Sequence, residues 1–452
     1  MTDGLPWERR RWAVAAIFTA LAMASLDTAI ANIALPAISA DLHVSPAEVV
    51  WVVNVYQIAL VATLLPLGAL GEIVGHQRIY LAGLLLFTLA SLACACAWSL
   101  PSLLIARTLQ GLGASGTMSV NTALVRFVYP SRMLGRGLGH NALVVAVAFT
   151  FGPTIASGIL AVASWPWLFA VNLPFGVVAL LIGFKILPQT PRAKHVFDFP
   201  GAMLAAVCLG LFIVGIGSAA HQAWPGLVLI ELAAALLLGW LLSRRHADHP
   251  APMLPIDLFR RPLFALSAAT AVCSFAVQGL AFVSLPFYFE DVLLRTQVET
   301  GFFMTPWPLV VAIMAPIGGR LSDRFSAGLL GGLGLLLLAL GMMLLATLPV
   351  SPGIANIVWR MVICGVGFGF FQTPNMKAIM SSAPSHRGGS ASGIVATARL
   401  IGQTTGAALA ALCFSLAGRD GAMLALALGS GFAGLGSVMS FLRLTVRSRR
   451  NT

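Results

Sequence analysis

Trp12-Ala-Val-Ala-Ala-Ile-Phe-Thr-Ala-Leu-Ala-Met-Ala-Ser-Leu-Asp27-Thr-Ala-Ile-Ala-Asn-Ile-Ala34 decides the fold. The run is long enough for a transmembrane helix, which needs about 20 predominantly apolar residues. It carries one charge, Asp27. Burying an unpaired carboxylate at that depth costs at least about 2.5 kcal/mol on the gentlest insertion scale. Such a cost persists where the group moves protons, ions or charged ligands, or where a buried cation pairs with it.

Outward from this run the chain keeps the same texture. Of its 452 residues 58 % are hydrophobic and 9 % charged, against about 25 % charged in a soluble protein. The mean hydropathy is +0.91. That excludes a soluble domain on a single anchor and predicts a polytopic membrane protein. Met1–Arg11 is polar and basic. The first apolar run is too long for a signal-peptide core and no Ala-x-Ala site follows it, so it reads as a retained helix. Cys94, Cys96, Cys208, Cys273, Cys364 and Cys413 all fall inside apolar runs. They read as small packing residues, with neither a disulfide framework nor zinc spacing. No phosphate-cradling glycine loop, metal-type His/Glu spacing or Ser/His/Asp set stands on a polar loop. No enzyme, cofactor or metal is therefore expected, and movement of a solute is either driven by an ion gradient or passive.

Apolar runs of about 20 residues fall near 12–34, 47–69, 79–98, 101–127, 137–162, 166–187, 199–217, 226–243, 263–288, 301–320, 327–348, 353–376, 390–415 and 422–442, which makes fourteen. An even number puts both termini on one side. With that side cytoplasmic, the inner loops and helix ends collect Arg9, Arg10, Arg11, Arg78, Arg126, Lys185, Arg324, Arg443 and most other cations, and the outer side holds only Arg295 and Arg419. This is the positive-inside pattern. The net charge of +12 is thus topological, and no nucleic-acid partner is expected. Arg107, Arg360 and Arg399 remain within spans.

An internal repeat accompanies the spans. Gly68-Ala-Leu-Gly-Glu72-Ile-Val-Gly75-His-Gln-Arg78 closes the second span and Gly319-Arg-Leu-Ser-Asp323-Arg324 the tenth, both as Gly-x-Leu-x-acid. Arg107-Thr-Leu-Gln-Gly111-Leu-Gly113 in the fourth is echoed by Arg360-Met-Val-Ile-Cys-Gly365-Val-Gly367 in the twelfth. Both pairs are offset by eight spans, as two six-helix halves with two helices inserted between them would be. The expected division is residues 1–190 for the first bundle, 191–250 for the inserted pair and 251–452 for the second bundle. Repeated halves place substrate near the midplane between them.

The first span also reads Leu26-Asp27-Thr28-Ala-Ile-Ala-Asn32-Ile-Ala-Leu35-Pro36, the fifth carries Gly152-Pro153 with Gly158, and Asn172-Leu-Pro174 follows. With the loop and fourth-span segments, these stretches resemble the major facilitator superfamily across essentially the whole chain, specifically its fourteen-helix drug:proton antiporters. The loop segment departs from that group: Glu72 stands for the usual Asp, Ile73 for the usual Arg and His76 for a usual Arg or Lys. The resemblance implies the major facilitator fold, an all-α integral membrane protein of two six-helix bundles plus two inserted helices. It also implies proton-coupled transport by alternating access and a coupling role for Arg107.

Asp27 is the candidate proton carrier, since moving between surroundings with and without a cation would couple proton binding to shape. Arg107 lies about 9 Å from the outer end of its span and Asp27 about 10 Å from the end of its own, at 1.5 Å per residue, so an ion pair is geometrically open. The alternatives are a purely structural pair for Asp27 and snorkelling to the interface for Arg107. An Asn in place of Asp27 is expected to spare folding. Glu72 and Asp323, beside Arg78 and Arg324, read as gate latches that pair in one conformation, or else as solvated loop charges. Gly152-Pro153 reads as a kink that seals one side of the cavity, or else as ordinary packing. The sequence does not name the partner of Arg399, and Glu231, Glu290 and Asp291 read as outer-surface carboxylates. A mostly apolar cavity with a few polar groups draws on Asn32, Asn54, Tyr56, Gln57, Asn121, Gln278, Trp307, Phe371 and Asn375. Aromatic faces and one carboxylate suit a lipophilic cation. The leading expectation is proton-coupled efflux of lipophilic, cationic drugs or antiseptics by a monomer in the bacterial inner membrane, both termini cytoplasmic. Its partners are then the lipid bilayer, protons and small lipophilic substrates. The alternative is an importer of a small nutrient or organic acid on the same fold.

Overall fold

The structure, a computed structural model, describes residues 4–130, 133–190, 192, 198–220, 225–247, 256–322, 324–349, 351–382 and 388–448. Among these there is no strand, and each of the fourteen apolar runs contains a helix. They are α1 (Trp7–Asp41), α2 (Trp51–Val74), α3 (His76–Ala95), α4 (Leu100–Val128), α5 (Leu134–Leu160), α6 (Asn172–Ile186), α7 (Phe199–Ala220), α8 (Pro225–Ala247), α9 (Pro262–Phe287), α10 (Pro306–Leu321), α11 (Ala327–Ala346), α12 (Ile354–Ser382), α13 (Gly388–Ala417) and α14 (Gly421–Ser448). Ten stretches of the described chain are long and apolar enough to cross a membrane, one of them running through both α13 and α14. α4 is not among them, because Arg107, Gln110 and Asn121 dilute its hydropathy while being buried inside the protein.

Local chemistry sets the breaks. α1 runs past the expected end at Ala34 as far as Asp41, carrying Pro36 inside it. The chain then turns through His43, which has a positive φ of 52°, into a capping box in which Ser45 and Glu48 satisfy each other's backbone N–H groups. The sixth run is split into Pro166–Ala170 and α6. The tenth is split into Gln297–Met304 and α10, at Thr305, where Pro306 and Pro308 withhold two backbone donors. α9 passes into a π-turn at Tyr288–Val292.

The chain divides into two compact units, residues 1–44 with 51–210, and residues 45–50 with 211–452. In each unit the paired glycines of the repeated Arg-Gly segment do the same work. A Cβ on Gly111 would collide with the Tyr56 carbonyl of α2, and one on Gly113 with the Phe87 backbone of α3. A Cβ on Gly365 would stand 2.7 Å from the Trp307 carbonyl of α10, and one on Gly367 2.5 Å from the Leu338 nitrogen of α11. The first glycine of each pair thus admits the helix two places back and the second admits the preceding helix. The repeat legible in the sequence is a repeat of backbone approach, since only a residue without a side chain fits at either crossing.

Candidate functional site

The candidate site of the first unit is assembled from five helices. α1 supplies Asp27. α4 supplies Arg107 and, three residues on along the same face, Gln110. Asp27 is 3 % exposed and Arg107 fully buried, so neither charge is solvated by water. Arg107 Nη1 donates to Asp27 Oδ2 at 2.5 Å and to Gln110 Oε1 at 2.6 Å, while Nε donates to the Val52 carbonyl of α2 at 3.0 Å. The other carboxylate oxygen, Asp27 Oδ1, accepts from Gln110 Nε2 at 2.8 Å and from Asn172 Nδ2, at the start of α6, at 3.3 Å. Gln110 Nε2 also donates to Ser91 Oγ of α3 at 2.9 Å. The guanidinium lies 4.3 Å from the ring centroid of Tyr56 and 5.4 Å from that of Phe169, so aromatic faces replace hydration on its flat sides. Tyr56 donates its hydroxyl proton to the Ala24 carbonyl of α1 at 3.4 Å. One group is left over, because Arg107 Nη2 is buried without a partner.

This arrangement gives the carboxylate one cation and two neutral donors. A proton placed on Asp27 cancels the ion pair and leaves a buried guanidinium to be held by carbonyl and amide oxygens alone. A buried charge stripped of its counter-ion is strongly disfavoured, so that one proton bears on α1, α2, α3, α4 and α6 together.

The other sequence candidates scatter. Asn32 spends its Nδ2 on the Thr28 carbonyl of its own helix at 3.1 Å, and Asn121 donates to Asn141 Oδ1 at 2.7 Å. Asn54 and Gln57 are buried on α2, and neither polar atom of Asn54 has a partner. Glu72 and Arg78 are exposed on either side of His76, whose backbone N–H donates to Thr190 Oγ1 at 2.8 Å. Gly75 between them has φ 112°, which a side chain would resist. A Cβ on Gly152 would stand 2.6 Å from Ala29 Cβ, so α5 crosses closely on α1 beside Pro153. Asp323 lies outside the described residues, and Arg324 is exposed.

In the second unit Gln278 Oε1 accepts from Gln403 Nε2 at 2.8 Å. Trp307 is fully buried, edge-on to Phe282 at 5.6 Å, with its indole N–H unpartnered. Phe371 packs on Phe368 at 6.3 Å. Asn375 is spent on a neighbour that the charge pattern misplaces. Arg443, counted above with loops and helix ends, is 2 % exposed. It donates to Asn375 Oδ1 at 2.7 Å and Ser267 Oγ at 3.1 Å, and Asn375 Nδ2 donates to the Ser267 carbonyl at 3.1 Å. Arg360 does not copy Arg107. It precedes its glycine by five residues where Arg107 precedes Gly111 by four, which turns it about 100° around its helix. Its partners are neutral, Asn356 Oδ1 and the Leu344 carbonyl. Glu290 also departs from the expected surface carboxylate, since the π-turn leaves its Oε1 buried and unpartnered while Asp291 stays exposed. A cavity of about 570 Å³ in this unit, between Glu48, Asp291, Arg419 and the Phe287–Phe414 pair, contains none of the sequence candidates.

Sequence reasoning passed over Gln110, Ser91, Asn172 and Arg443 as site residues. The i,i+3 spacing of Arg107 and Gln110 would have found the first. Ser91 arrives from another helix with no local signal, and Asn172 stood in the Asn172-Leu-Pro174 segment of the family resemblance without a role being read from it.

The Major Facilitator Superfamily profile matches residues 17–407. The uncharacterized transporter YebQ of Escherichia coli (strain K12) is 48 % identical over 445 residues, covering 98 % of this chain and 97 % of that protein. The riboflavin transporter RibZ of Clostridioides difficile (strain 630) is 30 % identical over 88 % of this chain and 87 % of its own length. The multidrug resistance protein Stp of Mycobacterium tuberculosis is 32 % identical over 86 % of this chain and 73 % of its own. A profile match of that extent, joined to an all-helical structure, places the chain in its family: it belongs to the major facilitator superfamily of membrane transporters.

Proposed function

We propose that this transporter exports lipophilic small molecules from the cytoplasm in exchange for protons, by alternating access in a bacterial inner membrane, with both termini cytoplasmic. The observation that carries the proposal is the buried Asp27–Arg107 pair within its mesh of Gln110, Asn172 and Val52. A carboxylate at that depth whose protonation disturbs five helices is a means of turning proton binding into a change of shape. The multidrug resistance relative supports the efflux direction, and the inward bias of loop cations supports the orientation. The proton-motive force supplies about 2.3 kcal/mol per charge per 100 mV. Glu72, Arg78, Asp323 and Arg324 are proposed as gates and Gly152-Pro153 as the bend on which α5 moves.

The expectation of a cationic substrate rested on aromatic faces together with one carboxylate. Asp27 already accepts from Arg107, Gln110 and Asn172, so a positive charge is no part of the proposal. The riboflavin relative favours a second reading, carriage of a small nutrient. Uptake of a fluorescent lipophilic dye into everted vesicles, with and without a proton gradient, tests the proposal. Gradient-dependent accumulation that is lost in Asp27→Asn supports it. Accumulation indifferent to the gradient refutes coupling, and loss of dye in place of accumulation favours the importer.

A further inference from the structure

We propose that Asn54 and Gln57 on α2 form a hydrogen-bonding edge that reads neutral substrates bearing an imide or lactam, in which an N–H donor stands beside a carbonyl acceptor. This names a substrate class for the carrier and rests on the transport reading above.

Asn54 is 1 % exposed and neither its Nδ2 nor its Oδ1 has a partner, and Gln57 is 4 % exposed with its Oε1 unpartnered. Buried polar groups are nearly always paired in native proteins, and the exceptions call for an explanation. Two threonines on α1 and α2 do find one in their own helix: Thr28 donates to the Ala24 carbonyl at 3.1 Å and Thr63 to the Ala59 carbonyl at 2.6 Å. Asn54 and Gln57 sit one turn apart and therefore share a face. Val52, Tyr56 and Ala59 mark the opposite face: the Val52 carbonyl holds Arg107, the Tyr56 ring lies under its guanidinium, and Gly111 packs on Tyr56 and Ala59. At about 100° per residue, Asn54 and Gln57 point roughly 140–200° away from Val52. The bare amides thus stand at the height of the coupling pair, on the side of α2 turned away from it, where a substrate bound to them bears on the helix that carries Val52 and Tyr56.

The chemistry of the edge selects its ligand. A carboxamide carries no charge and offers both a donor and an acceptor. A planar imide or lactam meets it with two parallel hydrogen bonds, as Asn and Gln meet the edges of heterocyclic bases. A lipophilic cation with neither N–H nor carbonyl gains nothing there. The edge is closed in this conformation, and the exchange of conformations in the proposed cycle is what opens it.

The test is equilibrium binding to the purified full chain in lipid nanodiscs with no gradient present, using 1,8-naphthalimide, its N-methyl analogue and tetraphenylphosphonium. The imide N–H should be worth about tenfold in affinity over the N-methyl analogue. Asn54→Leu and Gln57→Leu should each bring that ratio close to one and leave tetraphenylphosphonium binding unchanged. Asn54→Leu should unfold at no lower temperature than the wild type, because it removes an amide that has no partner to lose. Equal binding of the two imides by the wild type, a ratio preserved in Asn54→Leu, parallel loss of tetraphenylphosphonium, or no binding of naphthalimide overturns the proposal. Failure here leaves gradient-driven transport standing, whereas failure of the transport reading abolishes gradient dependence and leaves the binding ratio intact.

Discussion

Replacing Asp27 by Asn is the most informative single change, and the geometry reverses what the sequence leads one to expect of it. From the sequence, an amide at this position removes a buried charge and spares folding. In the structure the charge is already matched, and the amide destroys the match. Asn keeps one oxygen for Arg107 Nη1 but sets an NH₂ group against Gln110 Nε2 and Asn172 Nδ2, both of which donate to the carboxylate at 2.8 and 3.3 Å. Three donors then face one another, and a fully buried guanidinium has no anion. Removing one partner of a buried pair costs about 3–5 kcal/mol, a large share of a domain's stability of about 5–15 kcal/mol. Removing both charges together, as Asp27→Asn with Arg107→Gln, leaves amides that can hydrogen-bond one another and should return stability to within about 2 kcal/mol of the wild type. Thermal unfolding of the detergent-solubilised protein measures the stabilities, and gradient-driven dye uptake in everted vesicles measures the coupling. The single variant should unfold at a clearly lower temperature, the double variant near the wild type, and neither should respond to the gradient. A single variant as stable as the wild type, or a double variant no better than the single, would show that Arg107 is not held by the charge of Asp27. A single variant that accumulates dye at the wild-type rate would end the coupling role.

Two further outcomes follow from particular contacts and a third from the sequence repeat. Gly111→Ala drives a methyl group into the Tyr56 carbonyl and should cost about 1–3 kcal/mol; an unchanged unfolding temperature would mean that α2 and α4 are not packed as closely as described. Asn375→Leu strips Arg443 of the acceptor at 2.7 Å and should cost about 1–3 kcal/mol, most of it recovered on adding Arg443→Met, with thermal unfolding again the measure. On the proposed gating roles, Asp323→Asn should impair transport more than Glu72→Gln at matched protein amounts, because the second Gly-Arg-Leu-Ser-Asp-Arg copy is intact and the first has Ile73 in place of a cation; equal or reversed losses would remove the distinction.

The sequence by itself determined the elements. A chain that is 58 % hydrophobic must put its apolar runs where no water competes for backbone hydrogen bonds, and helices satisfy those bonds within each run. Run length and hydropathy are local quantities, so the helices, their approximate ends and the family could be read without coordinates. The glycine repeat was legible too, because a missing side chain is itself the means of close approach. The tertiary structure alone decided which polar groups meet. Asp27 and Arg107 are eighty positions apart, and a shared depth allowed their contact without requiring it. Ser91 and Asn172 join them only because α3 and α6 pack beside α4 and α1. One residue of spacing turned Arg360 away from the place its repeat suggested, and the packing of α9 and α12 buried Arg443 where charge counting left it outside. Each of these outcomes depends on helix rotation and crossing, and no single stretch of chain encodes either.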